Sequence, residues 1–357
     1  MSVLQALGND ATSVLWVGSE TGMERDLVKR SQVPYAAIPA AGVHGVGLRN
    51  LLPNLFTLAR GITASRRILD TFQPDLCLYT GGYLAAPMAV ATRIFRPKVP
   101  TLLFVPDIEP GMALKFLGRF ASTITLTASE SRKYFNPTKR MVVTGYPLRK
   151  ELLHWTPELG KKTLGLSDQL PVLGIFGGSK GAQSINRVVL NNLSQILEWF
   201  QVVQITGGLD WSEVEHAQAR LPRELAARYH PYAYLHDEIG AAFSACTLAV
   251  SRAGASTLGE FPHFGLPAIL VPYPYAWRYQ KVNASYLENR GAAMILPDEL
   301  LATRLVPTLK ELSVNPQKLV EMRKAMQQIN TPNAAERIAD QVRLLCGIAP
   351  RLEADHD

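Results

Sequence analysis

Short apolar runs alternating with stretches of helical length or spacing decide what this 357-residue chain can fold into. In the first half the runs are Ser13–Val17, Leu76–Tyr79, Thr101–Val105, Thr123–Leu126 and Met141–Thr144. In the second they are Pro171–Phe176, Gln201–Thr206, Leu248–Ser251, Ala268–Val271 and Ala293–Leu296. The runs are apolar nearly throughout, which suits strands buried on both faces. Intervening segments such as Gly82–Phe95 and Ser256–Phe264 have helical length or spacing. Repeated βα alternation of this kind builds parallel sheets covered by helices. The polar stretch Glu151–Gln169 separates two such sets. The expected fold class is therefore α/β, with two doubly wound, Rossmann-like domains at 1–150 and 171–335 joined by a linker at 151–170. A C-terminal helix at 336–347 and a disordered polar tail at 348–357 would complete the chain.

Composition narrows the setting. Apolar residues make up 47% and charged residues 19%, as in a globular protein. Cys77, Cys246 and Cys346 are scattered, with no CxxC or Cys/His metal spacing, which favours a reduced cytoplasmic environment. No run approaches the length of a membrane span, and no signal pattern opens the sequence. The net charge of +7 is uneven: residues 1–157 hold 18 Lys+Arg against 10 Asp+Glu, the remainder 19 against 20. A basic half implies an anionic partner. Nucleic acid fits poorly, because stacking aromatics are not interleaved with the cations and no binding motif appears. An anionic membrane surface fits better: Leu51, Leu52, Leu55 and Phe56 lie near Arg49, Arg60, Arg66 and Arg67. The same pattern also suits an ordinary amphipathic helix with solvated arginines.

In open α/β sheets ligands bind beyond the carboxyl ends of the strands. The distinctive residues cluster there: Gly81-Gly82, Asp107, Gly145–Arg149, Gly177–Gly181, Ser251–Glu260 and Tyr273–Asn283. With two facing domains, the reaction site is expected in the cleft between them. Phe176-Gly-Gly-Ser-Lys-Gly-Ala-Gln-Ser-Ile-Asn186 reads as strand, glycine turn and helix. Such a turn offers backbone N–H groups to a phosphate at a positive helix end. It is neither a Walker loop nor a GxGxxG fingerprint. After Leu248–Ser251 comes Ser251-Arg-Ala-Gly-Ala-Ser-Thr-Leu-Gly-Glu260, a second turn of small residues and hydroxyls. Glu260 is spaced to read the vicinal hydroxyls of a ribose. Two phosphate-type turns and one acid in a single domain point to a nucleoside diphosphate.

These residues resemble a known family, the MurG-type glycosyltransferases. The likeness runs through GGSKGAQSIN, SRAGASTLGE with Gly265-Leu-Pro-Ala-Ile-Leu-Val-Pro, and Gln280 with Asn283-Ala. Tyr79-Thr-Gly-Gly-Tyr-Leu-Ala-Ala-Pro87 and Gly145-Tyr-Pro-Leu-Arg149 extend it into the first half. The resemblance implies a GT-B fold and a peripheral enzyme on the inner face of the cell membrane. It implies inverting transfer of N-acetylglucosamine from UDP-GlcNAc to a lipid-linked muramoyl-pentapeptide, a step of peptidoglycan synthesis. By position it assigns the donor diphosphate to Gly177, Gly178, Ser179 and Gly181, with Arg149 as a cation and Asn186 in the same tract. His236 falls where the family's backbone meets uracil. Ala255, Ser256, Thr257 and Glu260 would frame the ribose, and Gln280 the sugar. No cofactor is required: helix ends and Arg149 would stabilise departing UDP without a metal. The only DxD match is the terminal Asp355-His356-Asp357.

The first half departs from the family pattern in two places. Members begin with a strand and a GGTGGH-like loop, whereas this chain opens at Met1-Ser-Val-Leu-Gln-Ala-Leu7, already inside the following helix. Loss of that central strand would leave unpaired backbone and an apolar slot, at roughly 1–3 kcal/mol per unsatisfied buried group. Truncation by a misplaced start is the expectation. Second, an HEQN-type tract is here Phe104-Val-Pro-Asp107-Ile-Glu109-Pro-Gly111. Asp107 and Glu109 are candidates for the base that an inverting transfer needs, and equally for helix caps. The alternatives are transfer to another membrane lipid, or a UDP-sugar-binding protein with impaired catalysis.

Overall fold

A computed structural model describes residues 1–19, 24–40, 48–177, 182–274 and 279–352. The chain divides into two compact units, Met1–Pro147 with Asn333–Asp357, and Leu148–Pro332.

In the first unit, β1 (Trp16–Gly18) and β2 (Tyr35–Ala37) form a parallel pair. A separate parallel sheet runs β3 (Cys77–Tyr79), β4 (Thr101–Val105), β5 (Thr123–Leu126) and β6 (Arg140–Val143), in that order. Among the described residues β1 pairs only with β2 and β3 only with β4, so each keeps one unpaired edge. β4 and β5 are buried at every residue, as their unbroken apolar sequence requires. The Leu48–Phe72 helix turns Gly61, Ser65 and Leu69 inward. That spacing of four places them on one stripe. A Cβ on Gly61 would collide with Pro39 O and the Pro87 ring, so glycine permits the close approach. No described helix is long and apolar enough to cross a membrane.

The chain returns to this unit at Asn333. The Ala334–Leu345 helix packs Ile338 and Ala339 against Ala6, Leu7, Leu102 and Phe104. Arg343, 0% exposed at its side chain, is the polar centre of that contact. Its guanidinium donates to Asp10 Oδ2 (2.8 Å), Glu336 Oε1 (2.7 Å), Asp340 Oδ1 (2.6 Å) and Ala6 O (2.9 Å). Burial pushes the Arg343 pKa down, but these acceptors outweigh it and the net shift is upward. Part of the expected tail is ordered too, since the N–H groups of Arg351 and Leu352 donate to Asp340.

The second unit holds one parallel sheet in the order β12-β11-β10-β7-β8-β9. Its strands are β7 (Val172–Phe176), β8 (Gln201–Ile205), β9 (Tyr229–Tyr232), β10 (Leu248–Ser251), β11 (Ala268–Leu270) and β12 (Ala293–Ile295). The expected linker region is structured. Thr156 caps the Pro157–Leu164 helix by accepting from Leu159 N, Pro157 starts it, and left-handed Gly165 ends it. This helix packs on Ile239–Ala245, where a Cβ on Gly160 would strike Ala241 O and Ser244 Oγ. Two strands escape the sequence pattern. β2 is three residues long and follows Pro34, and β9 contains Pro231, which the sheet tolerates because β9 is an edge.

Candidate functional site

The strand order of the second unit reverses between β7 and β10, so their following helices leave to opposite faces. Such a switch point opens a crevice beyond the carboxyl ends of the two strands. The first turn singled out in the sequence begins there at Gly177, and the second follows β10.

Gly177 follows β7 and donates its N–H to Ile205 O at 3.3 Å. Gly178, Ser179 and Gly181 lie outside the described residues. The chain resumes at Ala182 and enters the Gln183–Asn191 helix. Asn186 on this helix is 1% exposed, and its carboxamide is spent inside the protein. Nδ2 donates to Thr206 O (3.1 Å) and Asp210 Oδ2 (2.6 Å), while Oδ1 accepts from Gln204 Nε2 (3.0 Å). Tyr229 Oη donates to Gln204 Oε1 at 2.8 Å, and Gln183 Nε2 to Asp210 Oδ1 at 3.3 Å. Burial pushes the Tyr229 phenol pKa up, so it stays a donor. Asn186 thus ties its own helix to β8 and the turn beyond it.

The turn after β10 is closed by Thr257, whose buried hydroxyl donates to Gly254 O at 2.6 Å. A Cβ on Gly254 would meet no protein atom, so the space beside the turn is open. Ala255 and Ser256 are half-buried around it. Glu260 sits one turn into the Thr257–Phe264 helix, with its N–H on Ser256 O at 2.8 Å. Desolvation raises the Glu260 pKa above the ordinary carboxylate value; a hydrogen bond from Ser256 and the charge of Arg149 pull the other way without cancelling it. Arg149 is exposed, immediately before the Lys150–Leu152 turn. Phe176, Phe243 and Phe261 back the crevice with edge-on rings, at 4.9 Å for Phe176–Phe243 and 5.8 Å for Phe243–Phe261.

Two further residues flank this crevice. Gln280 begins the second position of the Tyr279–Glu288 helix, and its Oε1 accepts from Tyr273 N at 2.8 Å. Arg252, the residue after β10, is more deeply engaged than the sequence suggested. It donates to Asp298 Oδ1, to Ser184 Oγ (2.8 Å) and to Val271 O (3.1 Å), and lies over the Tyr273 ring. His236 stands apart: it is exposed in the loop after β9, at the far edge of the sheet.

Comparison with known proteins decides what this crevice belongs to. Residues 172–340 match the glycosyltransferase family 28 C-terminal domain, and residues 1–126 the N-terminal domain of the same family. A UDP-N-acetylglucosamine–N-acetylmuramyl-(pentapeptide) pyrophosphoryl-undecaprenol N-acetylglucosamine transferase from Roseiflexus sp. (strain RS-1) is 38% identical, over 92% of this chain and 82% of that protein. The transferase of the same description from Desulforudis audaxviator is 34% identical, over 95% and 91%. The crystal structure of Acinetobacter baumannii MurG matches with a TM-score of 0.78 at 26% identity, covering 96% of this chain and 94% of that one. The chain belongs to the MurG family of glycosyltransferases. Its fold is accordingly the α/β GT-B class.

Of the MurG-pattern residues, Gly177 follows β7, Ala255, Ser256, Thr257 and Glu260 follow β10, Gln280 lies in the helix after β11, and the charge of Arg149 reaches Glu260. Asp107 and Glu109 are in the first unit, beyond the carboxyl end of β4. Glu109 is 4% exposed and paired with Lys115 at 3.4 Å, whose ammonium also lies over Tyr134. Asp107 is half-buried, and its carbonyl accepts from Ser131 Oγ at 3.4 Å. Gly81 and Gly82 next to β3 have φ of +113° and +79°, a backbone that only glycine adopts freely. Phe56 is 67% exposed, and shares its stripe of the helix with exposed Arg60 and Arg67. The Leu51, Leu52 and Leu55 side chains lie outside the described residues.

Proposed function

We propose that this chain moves N-acetylglucosamine from UDP-N-acetylglucosamine to the free hydroxyl of a polyprenyl-diphosphate-linked muramoyl-pentapeptide, with inversion at the anomeric carbon. Membership of the MurG family and the names of its curated relatives support the donor and the acceptor. The structural observation that carries the reading is Glu260. A partly desolvated carboxylate held beside an open glycine turn, at the switch point of a Rossmann-like sheet, is built to accept hydrogen bonds from a ribose. Its raised pKa is the cost of holding that acceptor out of water.

In the transfer, the acceptor oxygen attacks the anomeric carbon while the bond to the UDP oxygen breaks. The leaving diphosphate gains negative charge, which exposed Arg149 and the positive start of the Gln183–Asn191 helix stabilise. No step requires a metal. Of the two candidate carboxylates after β4, Asp107 is assigned as the base that removes the acceptor proton, because it is the less buried of the pair. The basic first unit, with Phe56 presented among arginines, seats the enzyme on the anionic inner face of the cell membrane.

The test is direct. Purified protein with UDP-[14C]GlcNAc and the lipid-linked muramoyl-pentapeptide in detergent should yield a labelled disaccharide lipid and UDP. Binding of UDP with no product from this acceptor would refute the transferase assignment and leave a nucleotide-sugar-binding protein.

A further inference from the structure

The Arg252 guanidinium reaches the ends of four neighbouring strands at once. It follows β10; its NH1 donates to Val271 O after β11 and to Asp298 after β12; its NH2 donates to Ser184 in the first turn of the helix after β7. Its side chain is 12% exposed and that of Asp298 20%, so the ion pair is largely withdrawn from water. Ser184 Oγ donates to Asp298 Oδ1 at 2.8 Å, closing a triangle of cation, carboxylate and hydroxyl. The guanidinium carbon lies over the Tyr273 ring, 5.2 Å from its centre. Tyr273 N–H in turn holds Gln280 Oε1. A main-chain N–H can be met only by the carboxamide oxygen, so the Gln280 orientation is fixed and Nε2 is the end left to donate.

We infer that Arg252 is a positioning residue that couples the two halves of the donor site: through Ser184 it sets the helix behind the diphosphate turn, and through Tyr273 it sets Gln280 toward the sugar. This rests on the donor reading above. Planarity makes arginine the side chain for this work, since a fork of fixed N–H vectors holds several acceptors in one geometry and stacks on a ring besides. Lysine would keep the charge and lose the fork. Asp298 supplies the discriminating observation. A carboxylate repels a diphosphate, so any loss from its removal acts through the two donors it holds, Arg252 and Ser184.

The experiment is a double-mutant cycle on the full chain with Arg252→Lys, Asp298→Asn and Ser184→Ala. Calorimetry reads the Kd for UDP and for UDP-GlcNAc, steady-state assays read kcat and KM, and melting curves report folding. Each single variant should stay folded and lose on the order of 10- to 100-fold in kcat/KM for UDP-GlcNAc. UDP-GlcNAc binding should weaken more than UDP binding, because Gln280 is released as well. Arg252→Lys with Asp298→Asn should cost little more than the worse single change. Multiplicative losses, or an Asp298→Asn enzyme with wild-type constants, would overturn the inference. Ser184→Ala, the mildest change, keeps the test open if Arg252→Lys does not fold: unaltered constants in that variant also count against it. Wild-type protein that binds no uridine nucleotide would instead defeat the donor reading.

Discussion

Replacing Arg343 by methionine removes a charge and a fork of donors while nearly conserving volume. Four acceptors lose a donor, but not equally, and Asp10 keeps Arg351 at 2.7 Å. The Asp10 and Glu336 side chains, 26% and 24% exposed, can turn to water. Asp340, at 7%, cannot, and keeps only the N–H groups of Arg351 and Leu352. Ala6 O is left bare in the same contact. Two buried acceptors at roughly 1–3 kcal/mol each, one of them ionised, place the loss at about 3–5 kcal/mol. That is a large share of a typical stability of about 5–15 kcal/mol. Urea titration should register the loss, and amide exchange should locate it, accelerating in Ala334–Leu345 and Ser2–Leu7 while the β7–β12 sheet keeps its protection. Asp340→Asn in the Arg343→Met background should recover part of the loss, since the stranded group is then neutral. A loss below about 1 kcal/mol, or no recovery from Asp340→Asn, would refute the reasoning that buried charge governs this contact. Acidification probes the same groups. Burial raises the Asp340 pKa, but the Arg351 and Leu352 N–H groups and Arg343 outweigh it and the net value is depressed. Its contribution is therefore full above the unfolded-chain pKa of about 3.9 and is lost as pH falls through the lower folded value.

Glu260 behaves in the opposite sense. Its folded pKa is raised, so its ionisation opposes folding; that penalty is absent below the unfolded-chain pKa and grows as pH rises through the folded one. Glu260→Gln should then hold or raise the ligand-free melting temperature at pH 7 while weakening UDP binding roughly 10- to 100-fold by calorimetry; a lowered melting temperature with unchanged affinity would remove Glu260 from the site. Arg149→Ala should cut kcat on the order of 100-fold in the steady-state assay, and an unaffected rate would dissociate it from the leaving group. Phe56→Asp should lower cosedimentation with vesicles containing anionic lipid, with wild-type binding weakening as salt rises; equal binding by both proteins would move the membrane face elsewhere.

Strands were legible where burial on both faces writes an unbroken apolar run, and β4, β5 and β10 match the sequence reading residue for residue. β9 was not, because Pro231 ordinarily argues against a strand and only an edge position accommodates it. Glycines and a well-spaced acid leave a local signature, and the structure puts Gly177 directly after β7 and Ala255–Glu260 after β10, as the sequence reading placed them. Arg252 lay inside a motif already singled out, yet its role depends on Ser184, Val271 and Asp298, which meet only because β12, β11, β10 and β7 are neighbours. Asn186 illustrates the same limit. Its sequence context points to the ligand, while its amide is consumed by Thr206, Gln204 and Asp210 from the adjoining strand and turn.

The return of the chain to its starting unit at Asn333 has a consequence for biosynthesis. Residues 2–7 leave the ribosome more than three hundred residues ahead of the helix that covers them. At about 5–20 residues per second, the opening segment waits roughly 20–70 s for its cover. The middle portion, Leu148–Pro332, is contiguous and can close on itself while the polypeptide is still growing. Nascent chains stalled before Arg343 should therefore carry a finished nucleotide lobe and an unfinished partner, a state in which holdase chaperones would find their apolar surface at the amino end.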